Sequence, residues 1–175
     1  MTVFTIGHST RPIEDFIVLL TDAGVDCIAD VRRFPGSRRH PQFNAEALAR
    51  ALEAAGIAYR HFPALGGRRG AGSGPSPHTL WREAAFRNYA DYAGTPEFRA
   101  AFAALLRLSG ERVVAAMCAE AVWWRCHRRI IADYLIAAGE EVRHILDGKI
   151  EPARLTPDAT LTPEGGVLYR APSLL

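Results

Sequence analysis

The chain of 175 residues is almost without lysine: Lys149 stands alone against twenty arginines. Cysteine is nearly as scarce, with three residues, an odd number and too few for a disulfide framework. Free thiols suit a reducing compartment, so a cytoplasmic location is expected. No apolar run approaches the ~20 residues of a membrane-spanning helix, and the first residues lack the apolar core of a secretion signal. Net charge is slight as well, only +2, which argues against a body coated with positive charge for nucleic acid. What is present is ordinary globular material, 49% apolar and 23% charged, in a length that suits one domain with a sizeable core.

The balance of charge conceals a local pattern. Arg32, Arg33, Arg38 and Arg39 lie close together, Arg68 and Arg69 adjoin a glycine-rich segment, and Arg125, Arg128 and Arg129 adjoin Cys126. Guanidinium groups gathered on a near-neutral chain point to a local anion site.

Hydrophobic periodicity alternates short apolar runs with amphipathic stretches. Val3–Ile6, Cys27–Val31, Ile57–Phe62, Val113–Met117 and Val142–Leu146 read as five strands. Between them, apolar residues recur at helical spacing. Ile13, Phe16, Ile17 and Leu20 form one such face. Leu48, Ala51, Leu52 and Ala55 form a second, with Asn44 placed to cap it and Gly56 to stop it. Further helices are marked by Phe86, Tyr89, Ala90 and Ala93, by Phe98, Phe102, Leu105 and Leu106, and by Ile130, Ile131, Tyr134, Leu135 and Ala138. The one marked by Phe98 begins at Thr95-Pro96-Glu97, a hydroxyl cap followed by proline and an acid. Such alternation predicts an α/β fold: a single domain over residues 1–150 with a mainly parallel five-stranded sheet and helices on both faces. The Gly/Pro-rich segment 66–78 is expected to be a mobile loop, and residues 151–175 an extended C-terminal tail.

Four of the five strands run into chemically capable residues: the first into Gly7-His8-Ser9, the second into Asp30-Val31-Arg32-Arg33, the third into His61 and Gly66-Gly67, and the fourth into Cys118-Ala119-Glu120 and on to Cys126-His127-Arg128. In an open parallel sheet these carboxyl ends share one edge, where ligands of such folds bind. Polarity alone explains a loop, but not His, Cys, Asp and Arg in preference to Ser, Asn and Lys.

The segments Thr5-Ile6-Gly7-His8-Ser9, Asp30 to Ser37, Leu65-Gly66-Gly67 and Met117-Cys118-Ala119-Glu120 with Cys126-His127-Arg128 resemble the domain-of-unknown-function 488 family, from about Thr2 to His144. The resemblance implies a small α/β domain without an established activity, and so supplies no substrate. The second half of the chain, together with Asp30-Val31-Arg32, is also similar to rhodanese-like domains. The loop departs from that pattern, because bulky Val122, Trp123 and Trp124 fill the interval after Cys118, where such loops are short and rich in backbone donors.

At the expected edge Cys118 is the candidate nucleophile, with Glu120 and His8 as further reacting groups; Arg125, Arg128 and a helix N-terminus would favour its thiolate. An inert core cysteine is the alternative. Asp30 is placed to orient Arg32 or Arg128 toward an anion, or to lock two loops as a structural ion pair. Gly7, Gly66 and Gly67 would allow close backbone approach, and Ser9, Arg33, Cys126 and His127 complete the set of candidate ligand-binding residues. Adjacent Cys126 and His127 project about 100° apart on a helix, so no metal is expected. Trp123 and Trp124 could stack a base or pack into the body. Cys27, within an apolar run, reads as core, as do Tyr59, His61, Tyr89 and Tyr92 unless they line the pocket.

The combined expectation is a pocket that binds or processes an anionic, phosphate-bearing ligand such as a nucleotide or nucleic-acid end. Nothing specifies a cofactor, and no membrane partner is expected. Two other classes remain open: a non-catalytic nucleic-acid-binding module using Arg33 to His40, and a Cys/His metal or redox sensor.

Overall fold

A computed structural model describes residues 1–173. Strand formation follows the alternation of apolar residues. The central strands β1 (Thr2–Gly7), β2 (Cys27–Asp30) and β4 (Val114–Cys118) are buried along nearly their whole length, as parallel strands covered on both faces must be. β3 (Ala58–His61) lies at one edge, and β5 (Glu141–Leu146) lies beyond β1. A sixth strand, β6 (Lys149–Pro152), pairs antiparallel with β5, giving the order β3-β2-β4-β1-β5-β6. All the other pairings in this sheet are parallel. The fold is thus a single α/β domain with a mostly parallel sheet, six-stranded where five strands were expected.

Two cores flank the sheet. On one face α1 (Ile13–Asp22) and α2 (Ala45–Ala54) bring Phe16, Leu20, Leu48 and Leu52 onto Ile6, Ile28 and Met117. On the other, α3 (Ala84–Ala93), α4 (Pro96–Glu111) and α5 (Arg128–Ala137) bring Tyr89, Phe98, Leu105 and Ile131 onto Val3, Ala29 and Ala116. Because successive strand residues face opposite ways, β4 gives Ala115 and Met117 to the first core and Ala116 and Cys118 to the second. The Thr95 hydroxyl accepts from Phe98 N and caps α4. Asn44 occupies the N-cap position of α2, but its side chain instead accepts from Ser37 N and so holds the loop that follows β2.

The segment after β5 is more ordered in pattern than an extended tail. Beyond β6 it forms a hairpin of β7 (Ala159–Leu161) and β8 (Val167–Tyr169). Tyr169 is fully buried, and its hydroxyl donates to Asp133 of α5 at 2.8 Å. The last two residues of the expected tail, 174 and 175, lie outside the described residues. No helix among the described residues is long and apolar enough to cross a membrane.

Candidate functional site

A cleft of about 710 Å³ opens at the carboxyl edge of β1, β2 and β4. Its wall includes His8 and Ser9 after β1, Arg32 and Arg33 after β2, Gly67 and Arg68 after β3, and Cys118, Glu120, Arg125, Cys126 and His127 between β4 and α5. Arg32, Arg33, Arg68 and Arg125 therefore face two carboxylates, Glu83 and Glu120. Among the described residues, two of the three non-glycine residues with left-handed backbone, Ser9 and Arg68, lie in this wall, where irregular backbone often serves a site.

Beneath the wall Asp30 fixes Arg32. Asp30 Oδ1 accepts from Arg32 Nε at 2.9 Å and from its backbone N at 3.1 Å, while Oδ2 accepts from Nη2 at 2.7 Å and from the Tyr59 hydroxyl at 2.6 Å. Arg32 Nη1 contacts His8 Nε2 at 3.2 Å. A guanidinium can only donate, so Nε2 is the accepting nitrogen and the proton sits on Nδ1, which donates to Ser9 O at 2.8 Å. His8 is thereby a neutral imidazole, stacked on Phe43 at 4.3 Å. Burial, assisted by the Arg32 charge, holds its pKa down at about 4. After these contacts each terminal nitrogen of Arg32 keeps one N–H uncommitted. His61 contacts the Arg32 carbonyl at 2.8 Å and secures the same turn.

Arg128 takes a different place from the one expected. It is wholly buried and does not line the cleft. Its Nη2 donates to the carbonyls of Glu120 at 2.9 Å and Ala121 at 3.4 Å, and Nη1 reaches Thr5 Oγ1 at 3.5 Å, while Nε has no partner. Direct anion contact by Arg128 is corrected to support of the β4–α5 loop from below. Asp30 is likewise fully buried under the wall.

The glycines also turn from ligand approach to loop packing. A Cβ on Gly7 would sit 1.6 Å from Glu120 O, one on Gly66 2.5 Å from Arg33 N, and one on Gly67 2.9 Å from His127 Nδ1. Of these three only Gly67 lines the cleft.

Cys118 and Cys126 meet at the cleft floor, their sulfurs 2.8 Å apart. Cys126 Sγ also accepts from Arg128 N at 3.4 Å and lies 3.4 Å from His127 Nδ1. His127 Nε2 contacts Val31 O at 2.9 Å, which places the proton there and leaves Nδ1 facing the sulfur. Burial raises the Cys118 thiol well above its ordinary value, and its bond to Cys126 raises it further. Burial opposes ionisation of Cys126 too, but the Cys118 thiol and the Arg128 charge and N–H outweigh it and bring the value down. These directions favour Cys126 over Cys118 as the thiol that ionises. Cys27, at 1% exposure inside β2, is core.

Glu120 is exposed at the mouth. Trp123 is packed away, stacked on His144 at 4.4 Å with its indole N–H on Glu151, while Trp124 remains exposed. The Tyr89 and Tyr92 hydroxyls hold the carbonyls of Leu65 and Ala64, and Tyr89 also touches the cleft. Sequence reading missed Tyr59 as a donor to Asp30 and Phe43 as the platform under His8; neither carries a local signal. Arg68 and Arg125 were visible as clustered arginines, without an indication that they share one wall. Among the described residues no group of three or more His, Cys, Asp or Glu is arranged to hold a metal ion.

A family model described as domain of unknown function DUF488 matches residues 12–135. The matched span runs from just before α1 into α5 and takes in Asp30, Arg32, Cys118, Cys126 and Arg128, while β1 with His8 precedes it. No curated protein and no solved structure matches the chain, and the rhodanese likeness finds no support. With well over half of its length matched by that one family, the chain belongs to the DUF488 family.

Proposed function

We propose that the cleft binds a phosphate-bearing anion, such as a nucleotide or a nucleic-acid end. The observation that carries this reading is Arg32: clamped on two sides by Asp30 and oriented by neutral His8, it keeps an N–H on each terminal nitrogen at the cleft wall. A pre-oriented guanidinium loses little freedom when it binds a bidentate oxyanion. Arg33, Arg68 and Arg125 supply further positive charge around it. Phe34, 64% exposed beside the Arg33 guanidinium, gives the same wall a surface on which a base can stack.

Thermal-shift titration at low salt with inorganic phosphate, pyrophosphate and nucleoside monophosphates tests the reading. Stabilisation is expected with at least one of them, and Arg32→Lys should weaken it by about 1–3 kcal/mol, the loss of a charge-assisted bidentate contact. Absence of stabilisation by every anion would reject the site. If the loop from Arg33 to His40 instead carries a nucleic-acid-binding module, oligonucleotide binding will fall steeply with salt while mononucleotides have no effect.

A further inference from the structure

We propose that Cys118 and Cys126 form a redox-active dithiol at the floor of the cleft, with Cys126 as the attacking thiolate, Cys118 as the resolving thiol and a small hydroperoxide as the oxidant. This goes beyond anion binding and does not depend on it. The first observation is proximity. The two sulfurs are 2.8 Å apart with nothing between them, so closure to the ~2.05 Å of a disulfide is a short movement.

The second observation is the charge of Arg128. This guanidinium is fully buried, has one orphaned N–H, and has no carboxylate within ion-pair distance among the described residues. A buried cation needs a counter-charge; its field reaches both sulfurs of the cleft floor, and Cys126 is the one that also accepts from the Arg128 backbone N–H. His127 completes the arrangement: its Nε2–H is committed to Val31 O, so its Nδ1 is the proton acceptor facing Cys126. Cys118 has no comparable base: its thiol is directed to Glu120 O at 3.7 Å, and it accepts from Cys126 Sγ until Cys126 gives its proton to His127, after which the Cys118 thiol can donate to the thiolate.

The chemistry balances on these groups. The Cys126 proton passes to His127 Nδ1. The thiolate attacks one peroxide oxygen; the S–O bond forms, the O–O bond breaks, and the departing hydroxide takes the proton from His127 as water. Cys118 then attacks the sulfenic sulfur, the S–S bond forms, and the S–O bond breaks. The hydroxyl leaves with the Cys118 proton as a second water. The dithiol loses two electrons and the peroxide gains them. Both sulfurs line the cleft, which gives a molecule as small as peroxide a way in. Cys27 begins β2, at the end of the strand opposite the cleft, and serves as an internal control.

The test treats the full chain with near-stoichiometric hydrogen peroxide, quenches it with acid and maps the thiols by mass spectrometry. Free thiols should fall from three to one, with a Cys118–Cys126 linked peptide that dithiothreitol reverses and with Cys27 untouched. In Cys118→Ser a sulfenic acid on Cys126 should accumulate and be captured by dimedone, whereas Cys126→Ser should leave Cys118 unreactive. Oxidation of Cys27 as fast as Cys126, or a native protein that keeps three free thiols under these conditions, would overturn the proposal. Wild-type mapping decides alone if either variant fails to fold.

Discussion

Arg128 is the largest side chain that the fold hides completely, and its surroundings explain why the two cysteines differ. A guanidinium stripped of water is costly unless an anion stands near it. The bonds to the Glu120 and Ala121 carbonyls satisfy donors but leave the charge uncompensated. Ionising Cys126 relieves that imbalance. Arg128→Met keeps much of the stem's packing and removes the cation, so the apparent pKa of Cys126 should rise. Iodoacetamide labelling of native protein near neutral pH, read peptide by peptide, should slow at Cys126 by about tenfold or more, the effect of one pKa unit. A labelling rate that Arg128→Met leaves unchanged would show that Cys126 owes nothing to this cation. Sequence alone pointed to Cys118 because it ends a strand near arginines; it could not show that the two sulfurs meet at the cleft floor or that Cys126 accepts the Arg128 backbone N–H. Asp30 and Arg32 were more legible, since alternation along a strand end puts both on one side, where they pair.

At the scale of elements the site depends on how closely strand ends pass under loops. Gly7 ends β1 directly beneath the Glu120 carbonyl, so that His8 N and Ser9 N can donate to Cys118 O and Ala119 O and tie the two loops together. A methyl group there meets backbone, which cannot yield cheaply. Gly7→Ala should cost about 1–3 kcal/mol or more in urea unfolding, the usual range for overpacking. Gly36→Ala, with nothing within 4 Å and an ordinary φ, should stay within about 0.5 kcal/mol. Equal effects would refute the close-packing role of Gly7. The core strands and helices were legible because two-residue and helical periods mark them clearly. The last strands were not. β6 lies at the sheet edge with mostly exposed residues, and β7 and β8 have three residues each, too short for a period to register. β6 is held by its ladder with β5, and the β7–β8 hairpin by long-range contacts such as Tyr169 to Asp133, 36 residues apart in the chain.

For the whole molecule, buried neutral histidines set the response to acid. Burial holds both His8 and His144 at about 4, with Arg32 and Arg128 respectively adding to the effect; in the unfolded chain both return to about 6.5. Above that value neither state carries the protons and the histidines cost nothing. As pH falls below it the unfolded chain takes up protons that the folded chain refuses, so stability declines, and it continues to decline until the folded-state values near 4 are reached. Each histidine can remove at most about 1.4 kcal/mol per pH unit within that window. Urea unfolding should therefore show a loss of about 2–4 kcal/mol between pH 7 and pH 5, before most carboxylates titrate. The change in slope is the informative quantity: in His144→Gln it should shrink, by less than half because burial also holds His78 and His127 down, whatever the variant's absolute stability. The same protonation reaches the cleft, because His8 accepts from Arg32 only while neutral. Once protonated it repels the guanidinium, so acid that unfolds the chain also removes the His8 contact that orients Arg32, while Asp30 still holds the other edge of the guanidinium. Stability unchanged from pH 7 to pH 5 would mean that these imidazoles are protonated in place, and the neutral His8 that orients Arg32 would have to be abandoned.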